Sequence, residues 1–329
     1  MLLYKFMETQ TLYRTFDTRF EKEVLPYIEK KLPRDYFSEP IYYYIDNFQM
    51  RRFRAVLPLI IAEHTGVNYE DALALGAASE LIFTIALVQD DFIDGDKMRG
   101  DILAAHEKYG AGRVLASADY AYGAVYDMIS DLSRGDVPAA AFKTILEGFQ
   151  KSHRDLYQSF IMELGFQFPT IEITKEYVRK VHLAKTAQGI NALYCIGVLA
   201  EQKSAGKLSR IFKRYAELLG SAGQIKNDVY DFTRYAESRG LSDFRNGYIT
   251  YPLAYLAEVV DRVHLSDILK KKDVDGFMDL MKEYNVVEIL RKEINDLADQ
   301  AISIIKEIPL PMPLKEILEC WAEGNRFTR

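Results

Sequence analysis

Apolar positions recur at three- and four-residue spacing along almost the whole chain. Such spacing marks helices with one buried face, and no stretch shows the two-residue alternation between turn signals that marks a strand. The pattern predicts helices near 8–31, 36–64, 69–95, 110–133, 137–164, 173–203, 207–237, 250–260, 264–283, 285–307 and 313–325. Breakers such as Pro33, Gly66, Gly100, Gly110, Gly206, Gly247 and Pro309 fall in or beside the gaps. No gap is long enough to serve as a linker, so residues 1–329 are expected to form one all-α domain. The helices near 69–95, 110–133, 173–203 and 207–237 are apolar over more than one face, which suits central helices wrapped by others.

Composition narrows the class. Of the 329 residues, 49% are hydrophobic and 27% charged, ordinary values for a globular chain with a sizeable core. A net charge of −6 leaves no surplus of Lys and Arg for a phosphate backbone, so no nucleic-acid partner is expected. An anionic ligand would need a local basic cluster or a metal. Cys195 and Cys320 lie far apart and offer neither a disulfide framework nor zinc-site spacing, so a reducing cytoplasm is the expected location. The opening residues lack the features of an export signal. The longest apolar runs, at 55–62 and 81–88, fall short of the roughly 20 residues of a membrane helix, so no transmembrane segment is expected.

Candidate chemistry gathers in two places. At the end of the helix predicted near 69–95, Asp90, Asp91 and Asp94 close an apolar run. Residues four apart share a helix face, so Asp90 and Asp94 point the same way, with Asp91 about 100° round at the edge. Three carboxylates repel, and a helix C-terminus disfavours anions further. Magnesium, which seeks oxygen ligands and keeps waters or substrate phosphates in its shell, would relieve both problems. A solvated acidic helix end is the alternative for this cluster alone. The second cluster, Gln224-Ile225-Lys226-Asn227-Asp228-Val229-Tyr230-Asp231, repeats the spacing with Asn227 for the first acid. Each cluster sits late on a long apolar helix, so a bundle can bring both to one end of a central cavity. The candidate metal ligands are therefore Asp90, Asp91, Asp94, Asn227, Asp228 and Asp231.

With these motifs the chain resembles the trans-isoprenyl diphosphate synthase family, the polyprenyl synthetases, over nearly its whole length. Gln49-Met50-Arg51-Arg52-Phe53-Arg54 is similar to the family's GGKxxR segment, and Asp90 to Asp94 to its first DDxxD motif. Arg99 with Ala105-His106-Glu107-Lys108-Tyr109-Gly110 resembles RRGxPTxHxxYG, Lys185-Thr186 the KT pair, Gln224 to Asp231 the second aspartate motif, and Gly247-Tyr248-Ile249-Thr250-Tyr251-Pro252 GKxTxP. The resemblance implies the isoprenoid synthase fold, a single large antiparallel helical bundle around a central cavity. It implies three magnesium ions that bridge the carboxylates to an allylic prenyl diphosphate, ionisation to an allylic cation, and carbon–carbon bond formation by prenyl transfer. Asp90, Asp91, Asp94, Lys185 and Gln224 then form the catalytic set. Arg99, Lys185, Thr186 and Gln224 bind the allylic diphosphate, and Arg51 and Arg54 the acceptor. Ala86, Ile85 and Ile82 are placed along the prenyl tunnel. No bulky aromatic stands four or five residues before the first motif, so a tail of about fifteen to twenty carbons is expected to fit. A homodimer is implied as well.

The acceptor side departs from the family. Phe83 stands where histidine or glutamine is usual, Gly100 for a second arginine, Tyr248 for the lysine of GKxTxP, and Ser242 near another lysine. Two or more positive charges are thus expected to be missing from one pocket. A non-standard acceptor, intramolecular cyclisation in the manner of class I terpene cyclases, and a non-catalytic partner subunit stay open. Asn227 fits a cyclase, and rings such as Phe83 could face a migrating cation. Five scattered histidines make no zinc site, and His106 reads as structural.

Overall fold

A computed structural model describes residues 2–48, 50–165, 174–202, 206–233 and 242–327. Its helices are α1 (Leu2–Arg19), α2 (Leu25–Lys31), α3 (Glu39–Asn47), α4 (Phe53–Thr65), α5 (Tyr69–Asp94), α6 (Ala105–Tyr109), α7 (Ala111–Asp131), α8 (Ala139–Gly165), α9 (Lys175–Lys185), α10 (Ala187–Glu201), α11 (Lys207–Thr233), α12 (Ser242–Asn246), α13 (Tyr251–Val259), α14 (Arg262–Lys271), α15 (Val274–Glu283), α16 (Val286–Lys306) and α17 (Met312–Gly324). The all-α expectation holds. A two-residue ribbon, Met98–Arg99 against Ile102–Leu103, is the only sheet among the described residues.

Helix α5 runs through the middle of the bundle. Asn68 caps its start by accepting hydrogen bonds from the backbone of Glu70 and Asp71, whose charges also suit the positive end of the helix dipole. Gly95, with φ +71°, closes it. Between these caps the helix is long and apolar enough to cross a membrane, but 83% of that window is buried against α4, α7 and α10. Gly76 sets the closest approach, since a Cβ there would lie 2.2 Å from the carbonyl oxygen of Ala55 on α4. Helix α11 packs on α10 and α16, and its apolar face joins a second core around Phe232, Phe244 and Phe277. Both motif-bearing helices therefore have their rotation fixed by packing on several sides.

The expected helix at 8–31 runs through a π-helical stretch, Phe20–Val24, that joins α1 to α2, and three other expected helices are broken. The one at 36–64 stops at Asn47 and restarts at Phe53, because Arg52 adopts the left-handed conformation, φ +47°. The one at 173–203 bends at Thr186, and the one at 264–283 divides at Lys272, with φ +48°, before Asp273 caps α15. Helix α1 begins earlier than expected, and α6 and α12 are additional short helices. The expected ends at 173, 203 and 237, and Gln49, lie outside the described residues.

Candidate active site

Two cavities lie side by side at the end of α5 that carries the first aspartate motif. The larger, about 580 Å³, is lined by Asp90 and Asp94 from α5 and by Gln224, Asn227, Asp228 and Asp231 from α11. Lys185 enters from α9 and Arg99 from the ribbon. The two motifs thus face one space, as their spacing implied. The sequence reading did not identify Asp96, Glu163 from α8, His182 from α9 or Asp243 from α12, which also line it. The cavity gathers seven carboxyl groups against Arg54, Arg99 and Lys185.

Asp91 does not join them. It is fully buried, takes hydrogen bonds from the Tyr44 hydroxyl and the Arg99 guanidinium, and is absent from the cavity wall. Its candidate roles as metal ligand and catalytic group are therefore corrected: rotation by about 100° from Asp90 carries it round the helix to α3. Arg99 also reaches Asp90 at 3.3 Å and so ties the ribbon to the motif. Gly100 makes the ribbon's turn with φ +59°, and a Cβ there would press on the Phe48 ring at 3.3 Å, which accounts for the missing second arginine.

The acidic wall is under electrostatic strain. Burial, and then the neighbouring charge of Asp90, push the Asp94 carboxyl up to about 7, although the Tyr248 hydroxyl donates to it at 2.9 Å. Burial likewise raises Asp96 and Glu163, and burial with Asp231 and Asp228 holds Asp243 well above the carboxylate range. Burial opposes the Lys185 charge, but Glu163 at 2.7 Å, Asp90 and Asp94 outweigh it and raise the lysine. Asp228 accepts from the Tyr251 amide at 2.7 Å and lies 3.1 Å from His182 Nε2. The carboxyl oxygens of this wall suit a hard divalent cation. Among the described residues no three His, Cys, Asp or Glu side chains converge on one point. Magnesium takes one or two carboxylates and completes its shell with water and phosphate oxygens, so the carboxyl groups of Asp90 and Asp94 are of the kind that could hold it.

The second cavity, about 360 Å³, has no acidic side chain in its wall. Arg51, Arg54, Arg99 and Lys226 line it together with apolar groups such as Leu193, Leu219 and Trp321. Arg54 is clamped between two rings, its guanidinium 4.3 Å from the Phe53 centroid and 3.4 Å from that of Phe83. Burial lowers its pKa to about 10. Thr186 borders this cavity, not the acidic one. Phe83, Leu87, Arg54, Arg99, Gln224, Asn227 and Tyr230 form the wall common to both.

Two further expectations change. Tyr248 lines the acidic cavity beside Asp94, so its substitution removes no charge from the basic one. Lys226 adds a cation there that the sequence reading did not count, and the side chain of Ser242 is outside the described residues. Of the tunnel candidates only Ala86 reaches a cavity, next to Leu156 and Phe160. Ile85 and Ile82 are buried in the core and line neither cavity.

Comparison with known proteins identifies the fold and the family. The short chain isoprenyl diphosphate synthase of Methanothermobacter thermautotrophicus is 23% identical over 269 residues, 78% of this chain and 81% of that protein. The crystal structure of a geranylgeranyl pyrophosphate synthetase from Pyrococcus horikoshii superposes with a TM-score of 0.85 at 21% identity, covering 98% of this chain and 100% of the other. A polyprenyl synthase from Caulobacter crescentus, solved with calcium and isoprenyl diphosphate, gives 0.79 at 20% identity over 96% and 97%. These likenesses establish the isoprenoid synthase fold. The polyprenyl synthetase family model matches residues 34–287, and with the two facing aspartate motifs it makes this chain a member of that family, an enzyme of the isoprenyl diphosphate synthase kind.

Proposed function

We propose that the chain joins two substrates, an allylic prenyl diphosphate held in the acidic cavity and a diphosphate-bearing alkene held in the basic one. The observation that carries this reading is the distribution of charge: one cavity has seven carboxyl groups, and its neighbour has no acid and adds Arg51 and Lys226 to the Arg54 and Arg99 of the common wall. A cyclase, which takes one diphosphate, needs no second anion pocket. Asp90, Asp94, Asn227, Asp228 and Asp231 would hold the metal, with three ions as the expected number. Magnesium bound there supplies Lewis-acid neutralisation of the departing diphosphate. Arg99 and Lys185 grip the same group, one as a planar fork and the other as a point charge. Ala86, Phe83, Leu87, Leu156 and Phe160 enclose the start of the prenyl tail and exclude water from the cation. A tail of about fifteen to twenty carbons remains the expected range. The allylic carbon–oxygen bond breaks, the acceptor's π electrons form the new carbon–carbon bond, and a proton leaves to the released diphosphate.

The test combines products with a blocked pocket. Purified protein given geranylgeranyl diphosphate and isopentenyl diphosphate is expected to yield an elongated product only with magnesium present and both substrates added. Gly223 on α11 borders the basic cavity, and a Cβ there would meet only Asn325, at 4.0 Å. Gly223→Leu should fill that cavity and abolish elongation, while magnesium-dependent binding of the allylic substrate survives in calorimetry. A cyclic product formed from the allylic substrate alone would establish cyclisation instead.

A homodimer is the proposed assembly. Leu115 and Tyr126, eleven residues and so about 20° apart round α7, stand exposed on one face that a second copy would cover. Light scattering at micromolar concentration should give twice the chain mass, and a monomeric mass would end the proposal.

A further inference from the structure

The basic cavity contains cations that the rest of the protein leaves unneutralised. Arg52 pairs with Glu80, Arg99 with Asp90 and Asp91, and Lys185 with Glu163. Among the described residues Arg51, Arg54 and Lys226 have no ion-pair partner, although all three line one acid-free space. Arg51 rests 5.5 Å from the Tyr13 ring centroid, Arg54 is stacked between Phe53 and Phe83, and Lys226 lies 5.8 Å from the Tyr230 ring. Assembling three like charges around 360 Å³ is unfavourable unless an anion enters.

Lys226 stands one residue before the second aspartate motif, and that single step decides its role. A helical turn of about 100° separates it from Asn227, so it leaves the acidic wall and points into the basic cavity. Its ammonium donates to the carbonyl oxygen of Arg326 at 2.7 Å, which fixes it at the cavity rim beside Asn325 and Trp321. An ammonium has three N–H donors, so two remain for a ligand. Arg51, just before α4, and Arg54, in its first turn, line the same space.

We propose that Lys226 is a specificity-determining residue for the acceptor, the third cation of a pocket that selects two linked phosphate groups over one. The inference rests on the two-cavity reading. Lys226 comes from α11 and the two arginines from the start of α4, so cations from two separate elements line one space, and a diphosphate, with two phosphate groups, can meet all three where a monophosphate reaches only some. The rotation of α11 puts this cation out of reach of the carboxylates, which would otherwise neutralise it.

The test is calorimetry on the full chain in EDTA, with inorganic pyrophosphate and orthophosphate as probes. Pyrophosphate should bind the parent protein without divalent metal, orthophosphate much less tightly, and Gly223→Leu should remove the binding. A charge-assisted hydrogen bond contributes about 1.5–3 kcal/mol, so Lys226→Met should weaken pyrophosphate roughly ten- to a hundredfold. Lys226→Gln, which keeps a donor for the Arg326 carbonyl but carries no charge, should behave like Lys226→Met, and Lys226→Arg should retain most of the affinity. The KM for the diphosphate acceptor should rise in parallel, with that for the allylic substrate unchanged. Absence of metal-free binding sensitive to Gly223→Leu would overturn the two-cavity reading itself. Parent-like pyrophosphate affinity in folded Lys226→Gln would overturn the assignment of Lys226 alone.

Discussion

Asp90→Ala is expected to lower kcat/KM by roughly a thousandfold with the fold intact, because losing a metal-holding carboxylate removes several kcal/mol of charge stabilisation, at about 1.4 kcal/mol per factor of ten. Asp90 is partly exposed, and its departure relieves repulsion on Asp94. The adjacent Asp91→Ala should fail differently. It strands the Tyr44 hydroxyl and the Arg99 guanidinium in a buried site, so thermal stability falls together with activity. Circular dichroism melts and steady-state rates on both variants separate the cases. Equal melting temperatures for the two would show that Asp91 anchors nothing.

The second large effect lies at Glu80. This residue is fully buried on α5 and pairs at 3.1 Å with Arg52, itself buried, stacked 4.0 Å from the Phe20 ring and donating to the Ile45 carbonyl. Removing one partner of such a pair leaves a buried charge uncompensated, at a cost of about 3–5 kcal/mol. Glu80→Ala should therefore lower the melting temperature by roughly 10 °C, read by the same melts. The double change Arg52→Met with Glu80→Leu should recover most of that loss, since an apolar pair avoids desolvating charge. A shift of only a degree or two in Glu80→Ala would mean that Arg52 finds its stabilisation elsewhere.

What could be read from the sequence follows from what periodicity encodes. The positions of Asp90, Asp94, Asp228 and Asp231 were legible because three- and four-residue spacing fixes a shared face. The direction of Asp91 was not, because its partner Tyr44 lies 47 residues away in the chain, on a helix whose docking no local pattern reveals. Lys226 was overlooked for the same reason: its neighbours in sequence are the acids, but its neighbours in space are arginines. The breaks at Arg52 and Lys272 were invisible because left-handed backbone is normally flagged by glycine, and neither is glycine. The break at Thr186 has neither proline nor glycine to mark it. Ile85 was assigned to the tunnel by its offset alone, but the packing of α5 against α7, α8 and α10 determines which side is open.

Helix α5 holds both ends of this arrangement. Asp90 projects from it into the acidic cavity, and Glu80, ten residues earlier, anchors Arg52 between the two arginines of the basic one. The span between these points is about 15 Å of continuous helix, among the stiffest connections a chain can make. If α5 slides along its axis, the points at Asp90 and Glu80 travel together, and on the two-substrate proposal the gap between the reacting carbons is conserved. On that proposal the helix would act as a gauge bar for bond formation.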